Sequence, residues 1–230
     1  MQCGVDAILL DWQGVLADSA GVRRDALAHA LAAERIALDA PSTSAQPLGN
    51  PTLCVEATLA NLGRTDPALA DLVRLRATRA FSERLAQGFV LLPGARAFVE
   101  HAQLVSRVAI VTSASRSETE FVLRLAGLDG AVFTIVSADD GLDPPPLPAM
   151  CARALEHLSR RGPIHRERVV ALGQTSDALR AARTCGVRTV ALSAPAHVAV
   201  EADGAVDAVH GLLMTDLARL AGISMADRRP

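Results

Sequence analysis

Two rhythms of apolar residues run through this chain. One is a set of short unbroken runs. The first, Ala7-Ile8-Leu9-Leu10, ends directly on Asp11, and Gly14 follows three positions later. An apolar run of that length closed by a turn signal reads as a strand buried on both faces. Similar runs predict strands over 107–113, ending in the hydroxyls Thr112 and Ser113, and over 132–136, 168–173 and 187–192. The other rhythm repeats every three to four residues. Val22, Ala26, Leu27, Ala30, Leu31 and Ala33 set it over 21–38, and it returns over 52–62, 67–87, 95–103, 117–125, 148–159 and 174–185. These stretches predict helices. Pro148 opens one of them, where its missing N–H costs little, and Gly186 closes another. The segment 40–51, rich in Pro, Ser, Thr, Gly and Asn, reads as a loop. The tail over 204–221 reads as a short strand or turn and a last helix.

Strands alternating with helices predict right-handed βαβ units, and hence an α/β fold with a doubly wound parallel sheet. Residues 18–88 contain no convincing strand and read as a small helical cap. Residues 1–17 and 89–230 then form the α/β core. In such a sheet the carboxyl end of the first strand presents Asp11 at the mouth where open α/β folds place their ligands. Neither the dinucleotide fingerprint nor the Walker pattern occurs.

Composition narrows the chemistry. Half the residues are hydrophobic and the formal net charge is -2, with no basic run. Nucleic-acid binding and polybasic membrane contact are therefore not expected. The amino terminus lacks a signal-peptide layout and no apolar run reaches spanning length, so a soluble cytoplasmic protein is expected. Cys3, Cys54, Cys151 and Cys185 are scattered without metal-ligand spacing and are expected to be reduced. All 23 basic residues are arginine and none is lysine. Schiff-base catalysis by a lysine side chain is closed to this chain.

Asp11-Trp12-x-Gly14, Thr112 after the second strand, and Gly173-x-Thr175 before an alanine-rich helix together resemble the haloacid dehalogenase superfamily. The helical insertion resembles that superfamily's type-one cap. Asp11-Trp12, Asp139-Asp140, Pro146-x-Pro148-x-Met150-Cys151 and Gly173-Gln174-Thr175 resemble its phosphonatase-like branch, that of phosphonoacetaldehyde hydrolase and its relatives. The resemblance implies phosphoryl chemistry: Asp11 as nucleophile, Gln13 at the acid/base position, and Thr112 and Ser113 on the phosphate. It places Asp11, Gln13, Gln174 and Asp177 around Mg²⁺. Metal and cation are needed because the transferred group carries spread negative charge.

The chain departs from that pattern. Gln13 cannot exchange a proton at neutral pH. Gln174 stands in place of the metal-binding acid, and Ala178 where a second acid often lies. Pro145 stands where the phosphate-steadying cation is expected, so Arg116 or Arg153 would have to serve, displaced. Thr52 falls near the place of the phosphonatase cap lysine. Mg²⁺ favours carboxylates, so the site is short of charge unless Asp177, Asp139 or Asp140 turns in. The reading that follows is a pseudoenzyme or very weak phosphatase that binds a small phosphorylated or anionic ligand or a partner protein, with Mg²⁺ weak or absent. Two others remain open: a working Mg²⁺-dependent phosphohydrolase with Asp11 as nucleophile, and a homodimer built through the cap.

Overall fold

The computed structural model describes residues 4–37, 51–140 and 147–224. The loop expected over 40–51, the proline cluster with Pro145, and Cys3 lie wholly or mostly outside them, as do the side chains of Thr52 and Cys54. The chain divides into two compact units. One holds Met1–Ala17 and Leu91–Pro230, the other Asp18–Val90.

The first unit is a six-stranded parallel sheet flanked by helices. Its strands are β1 (Ala7–Leu10), β2 (Arg107–Val111), β3 (Thr134–Val136), β4 (Val169–Gly173), β5 (Arg188–Leu192) and β6 (Gly204–Val206), in the order β3-β2-β1-β4-β5-β6. β1 is central because it is apolar throughout, and all four of its residues are buried. It pairs with β2 on one side and β4 on the other, Leu10 standing level with Ile110 and Leu172. One step further along, Asp11 is level with Val111 and Gly173. That register brings three strand ends to one rim.

Helices α4 (Ala95–Val105), α5 (Arg116–Ala126), α6 (Leu147–Ser159), α7 (Ser176–Thr184), α8 (Ala196–Ala199) and α9 (Met214–Leu220) belong to the same unit. Met150, Ala154 and Leu158 of α6 and Ala181 and Ala182 of α7 pack on Ala7, Leu9, Ala109, Val169 and Ala171. At Gly204 a Cβ would lie 2.4 Å from the carbonyl oxygen of Leu220, so the close approach of β6 to α9 requires glycine.

The second unit holds α1 (Ala20–Ala33), α2 (Pro51–Asn61) and α3 (Pro67–Gly88) around its own core, where Leu27, Leu31, Val55, Leu59 and Val73 are buried together. The buried Arg23 guanidinium lies 4.3 Å from the Phe81 ring centre, a cation–π contact between α1 and α3. Asp66 caps α3 by accepting from the Ala68 N–H, with Pro67 at the first position. Among the described residues no helix is long and apolar enough to cross a membrane.

Several expected boundaries are corrected. The helix expected over 21–38 stops at Ala33, because Arg35 takes a left-handed backbone (φ 57°) and the Ile36 N–H returns to the Leu31 carbonyl. The strand expected from 132 begins at Thr134, since β3 is an edge strand with β2 as its single partner. The strand expected from 168 begins one residue later, where a 3₁₀ turn over Arg166–Arg168 ends.

Candidate functional site

β1 delivers Asp11 to the rim, and the backbone closes at once into a small loop. The Asp11 carboxylate accepts the Gln13 N–H at 3.2 Å. The Leu16 and Ala17 N–H groups donate to the Trp12 carbonyl at 2.9 and 3.1 Å, and the Gly14 N–H to the Ala17 carbonyl at 2.9 Å. Trp12 anchors this loop from below. It is fully buried, and its indole Nε1–H has no hydrogen-bond partner.

Gly14 has φ +72°, and a Cβ there would fall 1.9 Å from Oε1 of Gln174. Gln174, arriving from the end of β4, donates from Nε2 to the Gly14 carbonyl at 2.9 Å. The amide therefore ties the ends of β1 and β4 together. A carboxylate, which has only acceptors when ionised, cannot make this bond and would set oxygen against oxygen. Glutamine at 174 thus has a structural task that the acid expected by resemblance could not perform.

The β2 end supplies Thr112 and Ser113. The Thr112 N–H prolongs the ladder onto the Val136 carbonyl at 3.0 Å, and its buried hydroxyl accepts the Ala114 N–H at 3.3 Å. Neither residue caps the next helix. Ser115 does, accepting the Glu118 N–H at 3.2 Å. The pattern Ser115-x-x-Glu118 is a capping signature that would have located this start from sequence. The Asp139 carboxylate takes the Arg116 N–H at 2.6 Å. Two of the donors that could hold an anion at this helix terminus are thus occupied by the chain's own oxygens.

Both candidate cations turn toward the same loop. The Arg116 guanidinium donates to the Ile135 carbonyl at 2.9 Å and to both oxygens of Asp140 at 3.1 Å. Arg153 donates to the Asp140 carbonyl. Asp140 also accepts from the Ser137 N–H at 2.7 Å and hydroxyl at 3.2 Å. Burial alone would raise the Asp140 carboxyl, but the Ser137 and Arg116 hydrogen bonds and the Arg116 charge outweigh it and hold it below its ordinary value.

A folded-state pKa below the unfolded one contributes stability that is fully present above about pH 4 and is lost as pH falls through the folded value. Asp140→Asn is expected to cost about 1–2 kcal/mol near neutrality, kept modest by solvent screening around half-exposed Arg116. Urea unfolding at a series of pH values checks this: the gap between wild type and variant should be flat above pH 5 and narrow below about pH 4.

Asp177 lies in the first turn of α7, where a carboxylate suits the helix terminus. Its side chain is 82% exposed and pairs with Arg180 at 3.4 Å. The rim therefore gathers Asp11, Gln13, Gly14 and Gln174, with Thr112 and Ser113 on the neighbouring strand. Arg116, Asp139 and Asp140 form a second cluster after β3. Among the described residues no three His, Cys, Asp or Glu side chains converge to hold a metal ion. The Asp11 carboxylate, with the Gln174 amide committed to Gly14, is a poor donor set for a hard divalent cation that favours carboxylate ligands.

This geometry can be set beside known proteins. No curated protein matches the chain. Among solved structures, β-phosphoglucomutase from Clostridium difficile is 13% identical with TM-score 0.80, the match covering 95% of this chain and 97% of that one. A mutant CbbY from Rhodobacter sphaeroides in complex with xylulose-(1,5)bisphosphate is 25% identical over 96% of this chain and 100% of that one, with TM-score 0.73. The HAD-hydrolase YfnB from Bacillus subtilis, bound to magnesium, is 16% identical over 82% and 89%, with TM-score 0.64. The haloacid dehalogenase-like hydrolase family matches residues 5–186, a span that runs from the start of β1 through α7 and takes in both the Asp11 loop and its Gln174 tie. With that span and an acid at the end of a central parallel strand, the chain belongs to the haloacid dehalogenase-like hydrolase family.

Proposed function

We propose that this protein is a silenced phosphohydrolase of the phosphonatase-like branch. It holds a small phosphorylated or anionic ligand at the Asp11 rim and turns it over weakly or not at all. The observation that carries this reading is the Gln174 amide spent on the Gly14 carbonyl. A position that by resemblance would supply a metal-binding acid instead supplies a loop clamp.

Two further neutralisations support it. Gln13 stands two residues after Asp11, and its amide does not titrate near neutrality, so it cannot serve as general acid or base. Arg116 is engaged by Asp140 and the Ile135 carbonyl. Loss of one electrostatic or proton-transfer group commonly costs about 10²–10³ in rate, and such losses at one centre leave little. What the rim retains is the Asp11 carboxylate with Ser113 and the hydroxyl of Thr112, whose own N–H is spent on the Val136 carbonyl. Mg²⁺ affinity is correspondingly weak or nil, and lysine Schiff-base chemistry has no side chain to use. A cytoplasmic setting and a homodimer through Asp18–Val90 complete the proposal.

One observation favours a second reading. Likeness to CbbY, which was solved with a sugar bisphosphate, extends over nearly the whole chain at 25% identity. In that reading Asp11 attacks phosphorus in a Mg²⁺-dependent hydrolysis of a small phosphorylated metabolite. Hydrolysis of p-nitrophenyl phosphate with magnesium, run beside Asp11→Asn, separates the two. The silenced reading predicts rates at or close to background in both proteins. A turnover on the order of 1 s⁻¹ or more that Asp11→Asn abolishes overturns it in favour of the working enzyme.

A further inference from the structure

At the other end of β2 from Thr112 and Ser113, the surface opens into a cavity of about 500 Å³. Its walls come from the end of α4, the start of β2, the turn before β3, the last turn of α6 and the two arginines that follow it. β2 separates it from the Asp11 rim by roughly 17 Å at the usual rise per residue. Arg107, His157, Arg160 and Arg161 contribute to the lining and no carboxylate does.

The three arginines are held differently. Arg107 donates to the carbonyls of Leu158, Gly162 and Arg161 at 2.8, 2.9 and 3.1 Å. These bonds fix its guanidinium in place without neutralising it. Arg161 lies 5.4 Å from the Phe133 ring centre, a cation–π contact that leaves its charge unpaired as well. Arg160 has a carboxylate partner, Glu156 at 3.3 Å, in an exposed pair of the kind that contributes little. The His157 ring is oriented by its Nδ1, 3.0 Å from the Thr134 hydroxyl.

An ordinary solvated face would intersperse acids among these cations. Here a concave wall collects them around one pre-oriented guanidinium, and an anion placed among them relieves their mutual repulsion. Arg160 and Arg161 offer guanidinium forks of the kind that match phosphate oxygens in pairs, and Arg107, with three of its N–H groups on carbonyls, adds a fixed positive charge behind them; the set suits a ligand with more than one charge. A cavity of this size admits a small molecule.

We infer that this cavity is a binding site for a pyrophosphate group, carried either by free pyrophosphate or by a nucleoside diphosphate. It is separate from the Asp11 rim and independent of whether that rim turns over.

The test is a titration of the ¹⁵N-labelled full chain with sodium pyrophosphate, with ADP in parallel, against sodium chloride at matched ionic strength. Backbone amide signals of residues 130–134 and the Arg161 Nε–H report the site. Saturable shifts there with pyrophosphate are expected. Tighter binding of ADP would mark a nucleotide as the source, and equal affinity would mark the pyrophosphate group alone. Arg161→Glu, on an exposed side chain and so harmless to folding, should weaken binding about tenfold or more, and Arg160→Glu should weaken it too. The inference is overturned by the absence of saturation up to about 10 mM, by shifts that chloride reproduces, or by an affinity unchanged in Arg161→Glu.

Discussion

Gln13→Asp combined with Gln174→Asp is expected to raise magnesium-dependent hydrolysis of an aryl phosphate about 100-fold or more above wild type. Asp11→Asn added to that pair is expected to return the rate to background. The reasoning is electrostatic. Wild type presents the Asp11 carboxylate at the rim, with Gln13 beside it in sequence and the Gln174 amide facing the Gly14 carbonyl. The double substitution places three carboxylates around the end of β1 and gives position 13 a group that can exchange a proton. Stability should fall by about 1 kcal/mol, because the Gly14–Gln174 hydrogen bond is lost. Parallel urea curves read that cost separately from the kinetic gain. A rate that stays at the wild-type level would mean that positions 13 and 174 are not what silences the cleft.

Trp12→Ala is expected to remove about 3–5 kcal/mol of stability, a large part of what a domain of this size possesses. Trp12 is fully buried directly beside Asp11, and no movement of a four-residue strand can fill the space an indole leaves. Circular dichroism in urea is the appropriate probe, since Trp12 is the chain's one tryptophan and the variant has no intrinsic indole signal. Trp12→Phe should cost clearly less. It keeps most of the buried ring area and removes an indole N–H that has no hydrogen-bond acceptor. If Trp12→Ala unfolds within about 1 kcal/mol of wild type, the loop does not depend on that anchor.

The central sheet could be read from the sequence because strands buried on both faces are dominated by apolar residues, and five such runs stand out, even with Thr134 inside one and Arg188-Thr189 inside another. Asp11 could be read for the same reason, as the acid that ends the most continuous of them. What escaped depends on partners distant along the chain. The clamp from Gln174 to Gly14 spans 160 positions, and either residue alone looks like ordinary turn chemistry. Arg116 reads as a candidate phosphate cation until Asp140 and the Ile135 carbonyl are brought to it by the β2–β3 pairing. The early end of α1 escaped because it is made by Arg35, a residue that seldom takes a left-handed backbone, where a glycine would have announced it. The basic cavity escaped because Arg107 lies some fifty residues before Arg160 and Arg161.

Calorimetric titration of magnesium together with beryllofluoride, a mimic of an aspartyl phosphate, tests most directly whether the rim has lost its ionic equipment. The account predicts no saturable heat through the low-millimolar range, and the same trace for Asp11→Asn. Stoichiometric binding by wild type that disappears in Asp11→Asn would contradict it.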